Sequence, residues 1–262
     1  MSGGIVFAKR NFKESVRDPL TYIFCAGFPL AMLALFALIN AFLPAKQATF
    51  EYSSLVPGIL PFGYTFTMLT LCLLVSKDRS TAFIKRLRTS PLRPLDFVFG
   101  YAALGVVTGL LQSVVCVGGG AILALATGDE YFSFAKCVLL ILSQLPMLLI
   151  CVFTGIFFGC ALNEKSAPAL TSVFISASGV LGGAWMPLDI MGNFEIICRF
   201  FPFYPSVCVG RVITGALHSA TVPAAERLAY SFDTPTLLGL ITVAVWLIVS
   251  AIAAIIFNKR AK

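Results

Sequence analysis

Six cations crowd one short stretch, residues 76–96, which reads SKDRSTAFIKRLRTSPLRPLD. Lys77, Arg79, Lys85, Arg86, Arg88 and Arg93 stand there against only Asp78 and Asp96. Ser80 can cap a helix and Pro91 ends it. Between them Phe83, Ile84 and Leu87 share one helical face, with Lys85, Arg86 and Arg88 around it. The chemistry of that pattern is docking rather than catalysis. An apolar tip framed by cations suits a groove on a partner protein; alternatively the cations only fix topology and bind lipid headgroups.

Catalytic chemistry has little to work with elsewhere. Long apolar runs flank this stretch, and none of them holds Asp, Glu, Lys, Arg or His. The only histidine, His218, falls in a connection. A hydrolase or metalloenzyme needs His, Asp or Glu at its site, so no catalytic or metal-ligating set is assigned. Proton- and ion-coupled carriers place titratable groups at membrane depth, and these runs have none. A phosphate loop of the form GxxxxGK[ST] is also missing,. If the chain pumps, another subunit must supply the energy.

Neutral polar groups are the remaining candidates. Tyr64, Thr67 and Thr70 recur three apart in one apolar run, and Ser172, Ser176 and Ser178 lie in another. With Phe62, Phe66 and Trp185 they suit a path for an amphiphile better than one for a strongly charged solute. The other reading is that these hydroxyls bond back to their own helix carbonyls. Six cysteines (Cys25, Cys72, Cys116, Cys137, Cys151 and Cys160) lie in or beside apolar runs and read as packing residues,. Cys198 and Cys208 lie outside them, either as a disulfide or as free thiols.

The elements that must position these groups follow from composition. Apolar residues make up 58% of the chain and charged residues 12%, against about 45–50% and about 25% in soluble domains. Six runs reach the roughly 20 residues that a membrane span needs. They lie near 20–43, 56–76, 97–127, 137–162, 167–187 and 237–257. The fold expected is therefore an all-α integral membrane protein, one transmembrane domain over 1–262, without a cleavable signal peptide. Basic residues set its orientation. The two termini, residues 77–96 and Lys165 together hold fourteen Lys and Arg, against five (Lys46, Lys136, Arg199, Arg211 and Arg227) on the other side. Both termini are thus expected in the cytoplasm of a multi-pass cell-membrane protein, and the charge of +7 is a topology signal rather than a nucleic-acid footprint.

Two further features stand outside the spans. Residues 1–19 carry Ile5, Ala8, Phe12 and Val16 at helical spacing with Lys9, Lys13 and Arg17 beside them. This predicts an interfacial amphipathic helix, Phe7 departing from the stripe, or else a plain basic flank. Residues 188–235 contain two apolar runs split at Pro202 and Pro205, each too short to cross,. They predict an external re-entrant hairpin before the last span, or an external loop with an amphipathic helix. Glycines four apart, Gly105 with Gly109 and Gly155 with Gly159, predict close helix contacts inside the bundle.

The order of these features resembles the membrane subunits of type-2 ABC exporters. The resemblance runs over nearly the whole chain: a basic helix ending in RDP, Pro57-Gly58 at the entry to the second span, SKDRSTAFIKRLRTSPLRP before the third, and LGGAWMPLDIM followed by FFPFYP after the fifth. It implies a homodimer or heterodimer of six-span subunits, carrying two separate ATPases that bind ATP and magnesium, with no cofactor on this chain. It also implies that Phe83, Ile84, Arg86, Leu87 and Arg88 contact the ATPase, together with the N-terminal helix. Spans two and five would line the exit path, which assigns Tyr64, Phe66, Thr67, Thr70, Ser172, Ser176 and Trp185 to it. The cargo implied is an amphipathic drug, antibiotic, peptide or lipid. A polysaccharide or teichoic-acid exporter has the same architecture, and a stand-alone channel or secondary carrier is the reading from another class.

Overall fold

The computed structural model describes residues 3–43, 48–81, 94–127, 133–186, 188–218 and 228–260. Ten main helices carry the described chain: α1 (Gly3–Ser15), α2 (Ile23–Phe42), α3 (Tyr52–Ser80), α4 (Pro94–Thr127), α5 (Phe134–Ser143), α6 (Leu145–Ala161), α7 (Ala167–Leu181), α8 (Asn193–Arg199), α9 (Phe203–Thr214) and α10 (Thr234–Arg260), with a helical turn, Pro19–Tyr22, leading into α2. Among the described residues the only β pairing is an isolated bridge, Leu217 with Ala229.

Five helical stretches are long and apolar enough to cross a membrane: α2, α3, α4, the α5–α6 pair and α10. The expected fifth span differs. Its helix, α7, has 15 residues, which at 1.5 Å per residue is about 22 Å. It stops where Gly183 turns into the left-handed region at φ 60°. The α8–α9 pair bends by 97°; Pro202 stands at the joint as the cap of α9, and Pro205 sits in the first turn of α9, where its missing N–H costs no helical bond,.

The core is built around α3. Of its most apolar window 83% is buried, against 17% for α10, so α3 is the central helix and α10 the peripheral one. It packs against α4, α6, α7 and α9. Closest approach is to α6, where Gly155 and Gly159 face Met68, Cys72 and Val75. A Cβ on Gly155 would lie 2.7 Å from the Met68 carbonyl oxygen. Gly155→Val should therefore lower the melting temperature of the purified protein, since overpacking costs about 1–3 kcal/mol. Gly118→Ala, where a Cβ meets nothing within 4 Å, is the control and should leave it unchanged.

The N-terminal helix docks through a residue outside its apolar stripe. Phe7 is 4% exposed; its ring meets Phe97 at 5.3 Å and Tyr101 at 5.0 Å. Gly100 leaves the room for it, as a Cβ there would sit 2.3 Å from the Phe7 ring. Ile5, Phe12 and Val16 stay exposed on another face of α1. The single aromatic that breaks the pattern is thus the one that the bundle binds.

Candidate functional site: a junction at the basic end

α3 continues past the expected span and carries Lys77, Asp78, Arg79 and Ser80 on its last turn. Asp78 follows Leu71 and Val75 along the buried stripe of the helix and is itself only 3% exposed. Its carboxylate accepts two hydrogen bonds from the Arg10 guanidinium, at 2.8 and 3.1 Å, and one from the Tyr101 hydroxyl at 2.8 Å. One buried anion thereby ties α1, α3 and α4 together. Burial opposes the charge on Arg10, but the hydrogen bond and charge of Asp78, with Glu14 behind them, more than offset it and raise its pKa.

Three more tethers surround that pair. Arg79 donates to the carbonyls of Gly159 and Cys160 at the end of α6. Ser80 donates to Glu164 at 2.9 Å, reaching the turn before α7. Lys77 lies 3.6 Å from Glu14, which also pairs with Arg10 at 2.6 Å. The last turn of α3 is thus fastened to α1, α4, α6 and the 163–166 turn, immediately before the basic stretch. Phe83, Ile84, Arg86, Leu87 and Arg88 lie outside the described residues.

The other end of α3 is fastened too. Pro57 has no N–H, so the Ser53 carbonyl loses its helical donor. Thr214 of α9 supplies one, its hydroxyl lying 2.6 Å from that oxygen. Arg211, 1% exposed, donates to the carbonyls of Gly183 at 2.9 Å and Ser54 at 3.5 Å and to the Tyr230 hydroxyl at 3.4 Å. Burial pushes the Tyr230 hydroxyl up to about 12, with Arg211 opposing, so it stays neutral beside the cation. Gly58 lets the 183–185 turn approach, since a Cβ would lie 2.5 Å from the Ala184 carbonyl oxygen. Glu195 closes the bend itself, pairing with Arg199 at 2.6 Å and accepting from Tyr204 at 3.0 Å. Cys198 and Cys208 are both buried there as free thiols.

The candidate path residues divide into separate environments. Tyr64 is buried and bonds Ser113 at 2.7 Å; Thr67 donates to Gln112 at 2.9 Å, so both turn to α4. Thr70 donates to the Thr67 carbonyl. Phe66 meets Phe28 at 4.5 Å, while Trp185 meets Phe62 at 4.9 Å and Phe36 at 5.7 Å. Phe62 and Phe66 are themselves in contact at 5.5 Å, so these rings form one aromatic group between α2, α3 and the turn after α7. Ser172 and Ser176 are exposed on α7 and donate to the carbonyls of Ala169 and Ser172. Sequence reasoning did not find Asp78, Arg10 and Arg211 as anchors. Asp78 had a signal, its register with Leu71 and Val75; Arg211 had one as the lone cation in VCVGRVIT.

A multi-pass helical bundle, built around one central helix fastened at both ends, is the class that this geometry defines. The chain belongs to the ABC-2 family of transporter proteins, whose family model matches residues 35–258. It is therefore a membrane subunit of an ABC-type transporter, a family that in general partners ATPase subunits. Comparison with curated proteins returns no match.

Proposed function

We propose that the chain is the six-span permease of an ABC exporter in the cell membrane, working as two permease copies or homologues with two ATPases. The observation that carries this reading is the doubly fastened α3. Its 29 residues make a lever of about 43 Å, held at one end beside the basic stretch and at the other by the α8–α9 pair. Movement imposed at one end reaches the other through a rigid element. In this reading the basic end is cytoplasmic, α7 is the short fifth span, the α8–α9 pair is a re-entrant hairpin on the outside, and the exposed stripe of α1 lies on the membrane surface. Residues 1–262 act as one domain. ATP and magnesium bind the partner ATPases. The cargo is an amphiphile, drug-like or lipid, for which the aromatic group around Phe62, Phe66 and Trp185 offers neutral walls.

Phe83, Ile84 and Leu87 form the apolar contact with the ATPase, and Arg86 and Arg88 its rim. Burying a Phe or Leu is worth about 1.5–3 kcal/mol each, while exposed ion pairs give about 0–1 kcal/mol. Phe83→Ala with Leu87→Ala should therefore abolish ATPase co-purification and transport while membrane levels hold, and Lys85→Gln should be mild. A double variant that still co-purifies the ATPase and transports normally would remove the docking role.

A further inference from the structure

A cleft of about 500 Å³ opens beside the junction, between the α1–α2 bend, the last two turns of α3, α4 and Glu164. Its size falls within the roughly 300–1,000 Å³ of small-molecule sites. Its floor is mainly apolar, from Phe24, Leu74 and Leu104, with Thr70 and Thr108 bonded back to their own helices, and its rim is charged. From Lys77 to Thr70 it descends seven residues of α3, about 10 Å. The depth and the change from charged to apolar match an amphiphile with its head at the rim.

The rim specifies the head. Glu14 is already engaged by Arg10 and Lys77. Glu164, on the turn before α7, accepts only the Ser80 hydroxyl and has no ion pair among the described residues. Arg17, on the α1–α2 bend across the cleft, likewise stands in no ion pair among them. Asp18 lines the same rim beside Arg17 and is itself engaged, which leaves Arg17 and Glu164, of opposite sign and on different elements, as the rim charges without an ion pair among the described residues. A head with one charge meets one of them and leaves the other unanswered, whereas a head joining a phosphate to an ammonium meets both.

We infer that this cleft binds a zwitterionic amphiphile of the aminophospholipid type, phosphate toward Arg17 and ammonium toward Glu164. The inference rests on the proposed membrane orientation of α1 but not on transport. An occupant there touches α1, α3 and the 163–166 turn at once, so it would bias the same junction that the ATPase moves.

The test uses the full-length permease alone in nanodiscs of phosphatidylglycerol, without ATPase or nucleotide. Trace phosphatidylethanolamine carrying a diazirine acyl chain is compared with the same chain on phosphatidylglycerol, and adducts are mapped by mass spectrometry. The ethanolamine probe should label Phe24 and residues 70–77 about fivefold more than the glycerol probe, the scale of an exposed ion pair. Glu164→Lys should erase that preference, and Leu74→Trp should reduce labelling by both probes while labelling of lipid-facing α10 continues. Equal labelling by both probes, or labelling of the cleft no greater than of α10, would overturn the inference. Because no ATPase is present, labelling is read independently of export: a labelled cleft in a permease that still fails to transport once its ATPases are supplied would tell against the export reading and leave this site standing.

Discussion

Arg10→Ala is expected to damage the permease far more than Asp78→Ala, although the two residues form one pair. The reason is their unequal burial. The Asp78 side chain is 4% exposed and the Arg10 side chain 33%. Without Arg10 the carboxylate keeps only the Tyr101 hydroxyl, and a buried charge stripped of its partner costs about 3 kcal/mol. Without Asp78 the guanidinium still holds Glu14 at 2.6 Å and reaches water. The double variant Arg10→Ala with Asp78→Ala should therefore be more stable than Arg10→Ala alone, because it removes the stranded charge. Thermal unfolding of the three purified variants measures this directly. In membranes, Arg10→Ala should also lower ATPase co-purification, since α1 loses its hold on the turn that leads into residues 82–93. Equal single effects that simply add would mean that the pair is a surface ion pair and not a clamp.

What the sequence makes legible is the pattern that the bilayer imposes. Apolar runs long enough to span are visible without any contact, which is why α2, α3, α4, the α5–α6 pair and α10 lie close to where composition puts them. Pro202 and Pro205 likewise announce the bend between α8 and α9. Tertiary contacts are not periodic and so escape. The stripe of Ile5, Ala8, Phe12 and Val16 reads as a face for the membrane surface; that Phe7 would dock α1 on the bundle was not legible, because the vacancy is made by Gly100, over ninety residues away in the chain. The hydroxyl spacing of Tyr64 and Thr67 was visible, but not that Ser113 and Gln112 on α4 would answer them. Arg211 looked like a loop cation because nothing local says that the carbonyls of Gly183 and Ser54 converge on it.

Thr214→Val should loosen the far end of α3, and Pro57→Ala should make that substitution harmless. Valine keeps the shape of threonine and removes only the hydroxyl that caps the Ser53 carbonyl at 2.6 Å. The half-buried carbonyl is then left without its donor, at a cost of about 1 kcal/mol,. It needs that cap because Pro57 cannot donate to it. Alanine at 57 restores an N–H four residues on and lets the helix satisfy its own oxygen. The two substitutions should therefore couple: Thr214→Val costs stability in the native background and almost none beside Pro57→Ala. A double-mutant cycle on thermal unfolding reads the coupling. Transport should separate from stability in the same set. The double variant lacks the Thr214 bond between α9 and α3 even where the fold is sound, while the Arg211 contact with the Ser54 carbonyl remains, so it should melt like Pro57→Ala alone and yet export less. Additive stability effects would show that Thr214 contributes packing and not a cap. Full transport in the double variant would show that the Thr214 fastening is not part of the stroke, leaving Arg211 as the hold on the outer end of the lever.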